Sequence, residues 1–461
     1  MAIQESWARL RGQGFLGSVG VLVGGTGIAG AISALMLPVL TRLYTPQDFS
    51  LLAVLTGAIA IVSVAACLRF DIAIPVPEQD NEAANVLGLA VLSLAVIVAL
   101  LAGALLIVPA SLLARFNQPD LESYLWLVPV GVTVVALNSA LQLWLIRRKD
   151  FAAIARNRVA QAGAGAATQA TVGWLNGMTL GLIFGPTVGA AVGCVGLAYR
   201  VVGIENNLLR DINWPGMRAA WSHYYRFPKY SALEALSNNA GIQLPIILIA
   251  ALAAGPEAGF LMLAIAVIQA PMALLGTAVG QVFLSRAPQE FRLGRLGTFT
   301  ATIVGGLLKT GIGPLIFGGL LAPDLFAKVF GEEWRRAGVL MAWMTPWFVM
   351  QFLASPVSMA LHVANRQRAA LFLQLFGVVL RVGAVYGASL IAMGLISEAY
   401  AISGFVFYLV YLVVVFHAAG VRGSDILIEI RAAIPPLVLW IGAGLLFKAA
   451  VSFGPVARWI H

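Results

Sequence analysis

Two basic residues sit where an apolar sequence should not carry charge. Lys309 lies at the centre of the run Thr298 to Leu321, and Arg381 lies at the centre of Ala369 to Ile391. Read as membrane-spanning helices, each run keeps its cation roughly 12 residues, or about 18 Å, from either interface at about 1.5 Å per residue. A lysine side chain does not snorkel that far. Left in lipid, such a charge costs roughly 3 kcal/mol or more, so it must face protein, water or a ligand. Thr302, Gly305, Gly306 and Gly313 share the face of Lys309, and Gln374, Gly377, Ala384 and Ala388 share that of Arg381. Arginine offers a planar fork that grips phosphate oxygens in pairs, and lysine a compact point charge. The chemistry implied is the passage of an anion through a low-dielectric bundle, because an unpaired buried anion is very costly. The alternative is a structural pair with helix-end carbonyls or a carboxylate. No carboxylate is evident deep in the clear spans, which favours the anion.

The elements that must position these groups follow from composition. The chain has 461 residues, 60% hydrophobic and only 11% charged, where a soluble protein is about a quarter charged. The apolar runs are long and do not alternate, which points to a polytopic helical membrane protein and excludes a β-barrel. The net charge of +9 falls in short loops, so positive-inside topology accounts for it without nucleic acid. Cys67 and Cys194 each lie inside apolar runs and read as small core residues. They offer no disulfide framework and no zinc spacing. Arg9 and Arg11 precede the first run with no cleavage signature between, so the first span is read as uncleaved.

Runs of spanning length fall at about 14–40, 47–68, 83–108, 122–146, 152–175 and 178–199, then at 230–253, 258–285, 298–321, 337–363, 369–392 and 397–419. A weaker run at 434–453 contains Lys448, and either spans or lies at the interface. The expected organisation is an all-α protein: a six-helix bundle over 1–199, an amphipathic linker over 200–229, a second six-helix bundle over 230–421 and an extra segment over 422–461. With the amino terminus in the cytoplasm, the inner loops collect Arg147, Arg148, Lys149, Arg156 and Arg158, then Arg200, Arg210, Arg218, Arg226 and Lys229, then Arg286, Arg292, Arg295, Arg366 and Arg368. The outer side holds Arg42, Arg115, Lys328, Arg335 and Arg336. This asymmetry sets the orientation. The halves read as a weak parallel repeat: Thr45-Pro46-Gln47-Asp48-Phe49 and Gly255-Pro256-Glu257-Ala258-Gly259-Phe260 each open a long span.

Several short strings carry a resemblance. Leu43-Tyr44-Thr45-Pro46-Gln47-Asp48-Phe49, followed by Leu68-Arg69-Phe70-Asp71-Ile72-Ala73-Ile74-Pro75, resembles the start of the bacterial polysaccharide-unit flippases. These belong to the multidrug/oligosaccharidyl-lipid/polysaccharide exporter superfamily. Tyr225-Arg226-Phe227-Pro228, the Gly255 to Phe260 string and Gly331-Glu332-Glu333-Trp334 are similar too. The likeness covers roughly residues 12–420. It implies two six-helix bundles in a V around a central cavity open to one side at a time. It further implies a substrate of short oligosaccharide on undecaprenyl pyrophosphate, carried from the inner to the outer leaflet of the bacterial inner membrane.

Other residues invite chemistry less directly. Glu234, Asn238, Asn239 and Gln243 lie within about two and a half turns of one helix, which the resemblance places on the cavity. Sugar binding by the amides and ion coupling by Glu234 are set against interhelix hydrogen bonding. Arg42 ends the first span as a receiver of the departing head group or as an interfacial anchor. Arg69 and Asp71 read as a solvated pair near the inner mouth, and His362 as structural. Pro314 bends the Lys309 helix or is simply tolerated there. Trp214, Trp221, Tyr224 and Tyr225 with Arg218 read as an amphipathic stretch at the inner surface. Gly305-Gly306-Leu307-Leu308-Lys309-Thr310 lacks the glycine and the strand that a phosphate loop needs.

The sequence shows no nucleophile constellation, no paired carboxylates and no metal cluster, so neither cofactor nor metal is expected. The longest outer loops, 109–121 and 322–336, are short for a polytopic glycan-transferring enzyme. The favoured reading is a flippase for a lipid-linked oligosaccharide unit of O-antigen, capsule or exopolysaccharide, working by alternating access among membrane lipids. Polysaccharide polymerase or other assembly proteins are the candidate partners. A multidrug cation exporter, which would want acidic groups, and a polysaccharide polymerase or ligase are the alternatives.

Overall fold

The structure is a computed structural model that describes residues 15–107, 120–176, 179–253, 255–364 and 366–453. Arg9, Arg11, Arg115 and most of the loop expected at 109–121 lie outside them. The described residues are mostly helical in the spanning runs. In order they are α1 Phe15–Leu43, α2 Pro46–Ala66, α3 Asp80–Ile107, α4 Leu127–Arg147, α5 Phe151–Asn176, α6 Leu180–Arg210, α7 Trp214–Tyr224 and α8 Ala232–Leu252. They continue with α9 Glu257–Arg292, α10 Leu296–Thr310, α11 Ile312–Phe330, α12 Arg335–Val357, α13 Gln367–Ile391, α14 Ile396–Ala419 and α15 Gly423–Phe453. Among the described residues, 11 helices are long and apolar enough to cross a membrane.

The chain divides into two compact units, Met1–Gln243 and Leu244–His461, with the division falling inside α8. In unit 1, α5 packs between α1 and α6, α4 lies against α2, α3 and α6, and α7 lies on α3. The α5–α6 seam is made by small residues. Gly181, Gly185, Gly189 and Gly193 recur every four residues along α6, so the backbones can approach closely where the surrounding lipid gives no hydrophobic drive. A Cβ placed on Gly165 of α5 would sit 3.1 Å from the Gly185 carbonyl oxygen. This seam explains how α5 can be polar. It carries Arg156, Asn157, Arg158, Gln161 and Gln169, and it is not among the apolar spans. The Gln169 side-chain amide donates to the Leu182 carbonyl at 3.2 Å.

The string Thr45 to Phe49 is a helix start built by capping. The Asp48 carboxylate accepts from the Thr45 amide at 2.8 Å, and the Thr45 hydroxyl accepts from the Asp48 amide at 3.3 Å. Pro46 occupies the first helical position, where no amide donor is needed. The other oxygen of Asp48 accepts from Thr179 at 2.5 Å, tying α2 to the start of α6.

In unit 2, α12 is the hub, packed against α9, α10, α11 and α14. Two of the family-like strings meet here, because Trp334 is fully buried and stands edge-on to Phe260 at 6.0 Å. The run expected as one span at 298–321 is instead two helices, α10 and α11, broken at Gly311. Pro314 has no amide to give the Thr310 carbonyl, so the backbone ladder cannot continue across the junction. The last helix also differs from the expectation: α15 starts at Gly423 rather than near 434, and its Gly423–Ala449 portion is long and apolar enough to span.

Candidate functional site

The chain emerging from α2 makes a sharp turn in which Leu68 and Arg69 take left-handed conformations, with φ of 49° and 60°. Neither residue is a glycine, and each such residue costs about 1–2 kcal/mol. Burial of the adjoining residues holds the turn in place. Phe70, Ala73 and Ile74 are fully buried, the Phe70 amide donates to the Cys67 carbonyl at 3.0 Å, and the Phe70 ring meets Trp221 of α7 at 5.4 Å. The strained turn carries Arg69 and Asp71 into the wall of a cavity of ≈ 400 Å³ within unit 1.

The cavity is apolar for most of its surface, with polar groups at selected points. Thr56 and Ser63 of α2, Ser139 of α4, Thr187 of α6 and Asn239 of α8 join Arg69 and Asp71 in its lining. Thr56 donates to the Leu52 carbonyl at 2.7 Å and Ser63 to Ala60 at 3.4 Å, which leaves their oxygens as acceptors. Asp71 is 5% exposed. One of its oxygens accepts from Ser139 at 3.3 Å, while the other has no partner, and neither has Arg69 Nε. Burial pushes the Asp71 carboxyl above its ordinary value, opposed first by the field of Arg69. Buried polar atoms without partners are uncommon in native proteins. Two of them lie at this one cavity, beside a strained turn.

Of the expected site residues, the structure brings Asn239 to this cavity. Asn238, Gln243, Glu234 and Arg42 are not in its lining. Glu234 and Asn238 are both exposed on α8, Gln243 is half-buried, and Arg42 is exposed at the end of α1. The solvated pair expected of Arg69 and Asp71 is corrected by the burial of the carboxylate. The signal for them was a charged pair inside the otherwise apolar Leu68 to Pro75 string.

The two deep cations of unit 2 have surroundings other than those expected. Lys309 is ion-paired: its Nζ lies 2.7 Å from Glu429 Oε2 on α15. The absence of a deep carboxylate is therefore corrected. Glu429 was missed because the last helix was expected to begin beyond it. Gly305, one turn before Lys309, is the position where a Cβ would collide with the Glu429 carboxylate, so the glycine admits the pair. Arg381 is only 5% exposed. Its guanidinium lies 4.2 Å from the centre of Phe407, 5.7 Å from Tyr408 and 5.9 Å from Trp347. An aromatic enclosure of that kind stabilises a cation through ring quadrupoles. At the far end of the same unit, Arg336 bridges Glu257 at 3.0 Å and Glu398 at 2.8 Å, and Ser397 donates to Glu257 at 2.7 Å.

These features define a multi-pass helical membrane protein with polar groups held among its helices. The family follows from direct comparison: a model described as polysaccharide biosynthesis protein matches residues 39–291, more than half of the chain, and the protein belongs to that family. Comparison with curated protein sequences gives no match. Among solved structures, the chain is similar to a lipid II flippase, MurJ, in an inward closed conformation. The two share 11% identity and a TM-score of 0.70 over 92% of this chain and 98% of that one. An inward-facing multidrug resistance MATE transporter of the MOP superfamily gives 15% identity and 0.56 over 87% and 94%. A MOP transporter from Pyrococcus furiosus gives 14% and 0.54 over 88% and 96%. At these identities the likeness establishes the fold alone, the one shared by these MOP-superfamily structures.

Proposed function

We propose that this protein moves an undecaprenyl-pyrophosphate-linked oligosaccharide, the repeat unit of an O-antigen, capsule or exopolysaccharide, across the bacterial inner membrane by alternating access. One observation carries the reading: a chain of a polysaccharide biosynthesis family adopts a transporter fold. The lipid II flippase among its structural likenesses supports a lipid-linked substrate.

The unit 1 cavity supplies groups suited to such a head group. Arg69 offers a fork for phosphate oxygens. The hydroxyls of Thr56, Ser63 and Thr187 and the Asn239 amide suit sugar hydroxyls. Lys309 and Arg381 remain candidates for the substrate path only if their partners release them during the cycle. Arg42, Asn238 and Gln243 stand as further contacts and Glu234 as an ion-coupling group. Polysaccharide polymerase or other assembly proteins would take up the product.

The test is transport in proteoliposomes. The full-length protein is reconstituted with a fluorescent lipid-linked oligosaccharide, and outward movement is read with a membrane-impermeant quencher. Protein-dependent movement of that lipid, absent for organic cations, supports the proposal. Movement of organic cations alone would turn it towards drug export, and chain elongation of the glycan towards an enzyme.

A further inference from the structure

A second hollow, of ≈ 510 Å³, lies within unit 2 among α11, α12, α14 and α15. Its width has a covalent origin. Pro323 on α11 and Pro346 on α12 withdraw the amides that would have bonded the carbonyls of Gly319 and Ala342, and all four residues line the hollow. Gly319 and Ala342 also leave its floor without bulk. Around them, Ile316, Leu320, Val349, Met350 and Phe405 present apolar surface. The Thr345 hydroxyl donates back to the Met341 carbonyl at 2.8 Å, so its proton is already used.

Among the described lining residues Lys448 alone is charged. It is exposed and has neither an ion pair nor a hydrogen bond among the described residues. Its place along the hollow is fixed by α15. A Cβ on Gly444 would lie 3.1 Å from Leu320 Cδ1, so Lys448, one turn further on, falls at the Pro323 end. From there the apolar surface runs inward to Ile316, about 10 Å along α11 at about 1.5 Å per residue. That length fits inside one leaflet of a hydrocarbon core about 30 Å thick. A cation stands at one end and hydrocarbon lines the rest, with a flexible stem that can follow a head group toward the interface.

We infer that this hollow is a binding site for an anionic phospholipid, with one acyl chain along α11 and α12 and the phosphate on Lys448. Apart from Lys448, the lining offers a sugar or a peptide backbone only the acceptor oxygen of Thr345, and its apolar extent suits a hydrocarbon body. The charge on Lys448 selects an acidic head group. The site shares no residue with the unit 1 cavity.

Native mass spectrometry of the full-length protein, titrated with phosphatidylglycerol or phosphatidylethanolamine, tests this. The expected result is a retained phosphatidylglycerol favoured about fivefold over phosphatidylethanolamine. Lys448→Ala should abolish the preference, Lys448→Arg should keep it, and Ala342→Phe, which fills the hollow, should lower retention of both lipids. The inference is overturned by equal retention of the two lipids by the native chain. It is equally overturned if Lys448→Ala leaves the preference intact, or if a polyprenyl phosphate displaces phosphatidylglycerol from the native protein but not from Ala342→Phe. Circular dichroism of each variant separates lost binding from lost folding, and if Ala342→Phe unfolds, the Lys448 pair decides alone.

Discussion

In unit 2 each deep cation is answered by its neighbours. Lys309 meets Glu429 at 2.7 Å, and Arg381 is wrapped by Phe407, Tyr408 and Trp347. In unit 1 the charged groups at the cavity sit on and beside a strained turn. Arg69 Nε and one Asp71 oxygen lack a hydrogen bond, as does Arg381 Nε within its aromatic enclosure, but of these sites only the unit 1 cavity has a strained backbone, at Leu68 and Arg69. Depth in the bundle therefore does not by itself distinguish a charge that works from a charge that holds. The satisfied pair and the aromatic enclosure describe groups whose cost is already offset. At the unit 1 cavity the strained turn adds a cost that the unit 2 groups do not carry.

Removing the cavity's arginine is the sharpest way to break this contrast. Arg69→Ala should lower transport roughly a hundredfold, the weight of a lost hydrogen-bonded charge on a ligand, with helix content and membrane insertion unchanged. Relief of the left-handed backbone at Arg69 is a separate matter, which Arg69→Gly isolates by keeping the turn without the charge. If the alanine variant transports at the native rate, the unit 1 cavity is a packing defect rather than a site.

The Lys309–Glu429 pair should respond in stability first. Lys309→Ala leaves a carboxylate facing α10 without its partner and should cost about 2 kcal/mol in unfolding, between an exposed and a fully buried pair. The double substitution Lys309→Met with Glu429→Met should recover most of that loss and keep transport. Loss of transport in a stable double variant would return the deep lysine to the substrate path. Smaller still is Arg381→Lys, which keeps the charge and gives up the planar face against Phe407. About 1 kcal/mol is expected, read as a lower thermal midpoint with transport retained.

Legibility in the chain divides along the same line. Long apolar runs announced most of the helices within a few residues, the start of α15 and the end of α6 excepted, because hydropathy over a span survives most detail of packing. The break at Gly311 was foreshadowed by Pro314, yet the apolar run continues through it, so composition joined two helices into one. The partner of Lys309 lies 120 residues away, and no local pattern links them. The turn at Leu68 and Arg69 was hidden for another reason. Left-handed residues are normally announced by glycine or asparagine, and here burial of Phe70, Ala73 and Ile74 imposes the conformation on residues that do not favour it.

The smallest predicted effect concerns Asp71 and depends on pH. Its carboxyl is raised above the ordinary value by burial. Below that raised pKa it is neutral, and Arg69 gives the cavity a net positive charge. Above it, the carboxylate opposes Arg69 and repels an anionic head group. Transport of a pyrophosphate-linked substrate should therefore fall several-fold as pH rises through the Asp71 pKa. The same sign applies to folding. A carboxyl whose folded pKa exceeds its unfolded one binds more protons when folded, so its contribution to stability is full at low pH and is lost as pH rises through the folded value. Asp71→Asn keeps the hydrogen bond with Ser139 and removes the titration, so both the transport profile and the thermal midpoint should flatten across that range. Profiles for Asp71→Asn that match the native protein's would mean that the carboxyl does not titrate between the two states. The cavity would then be left with Arg69 as its working charge.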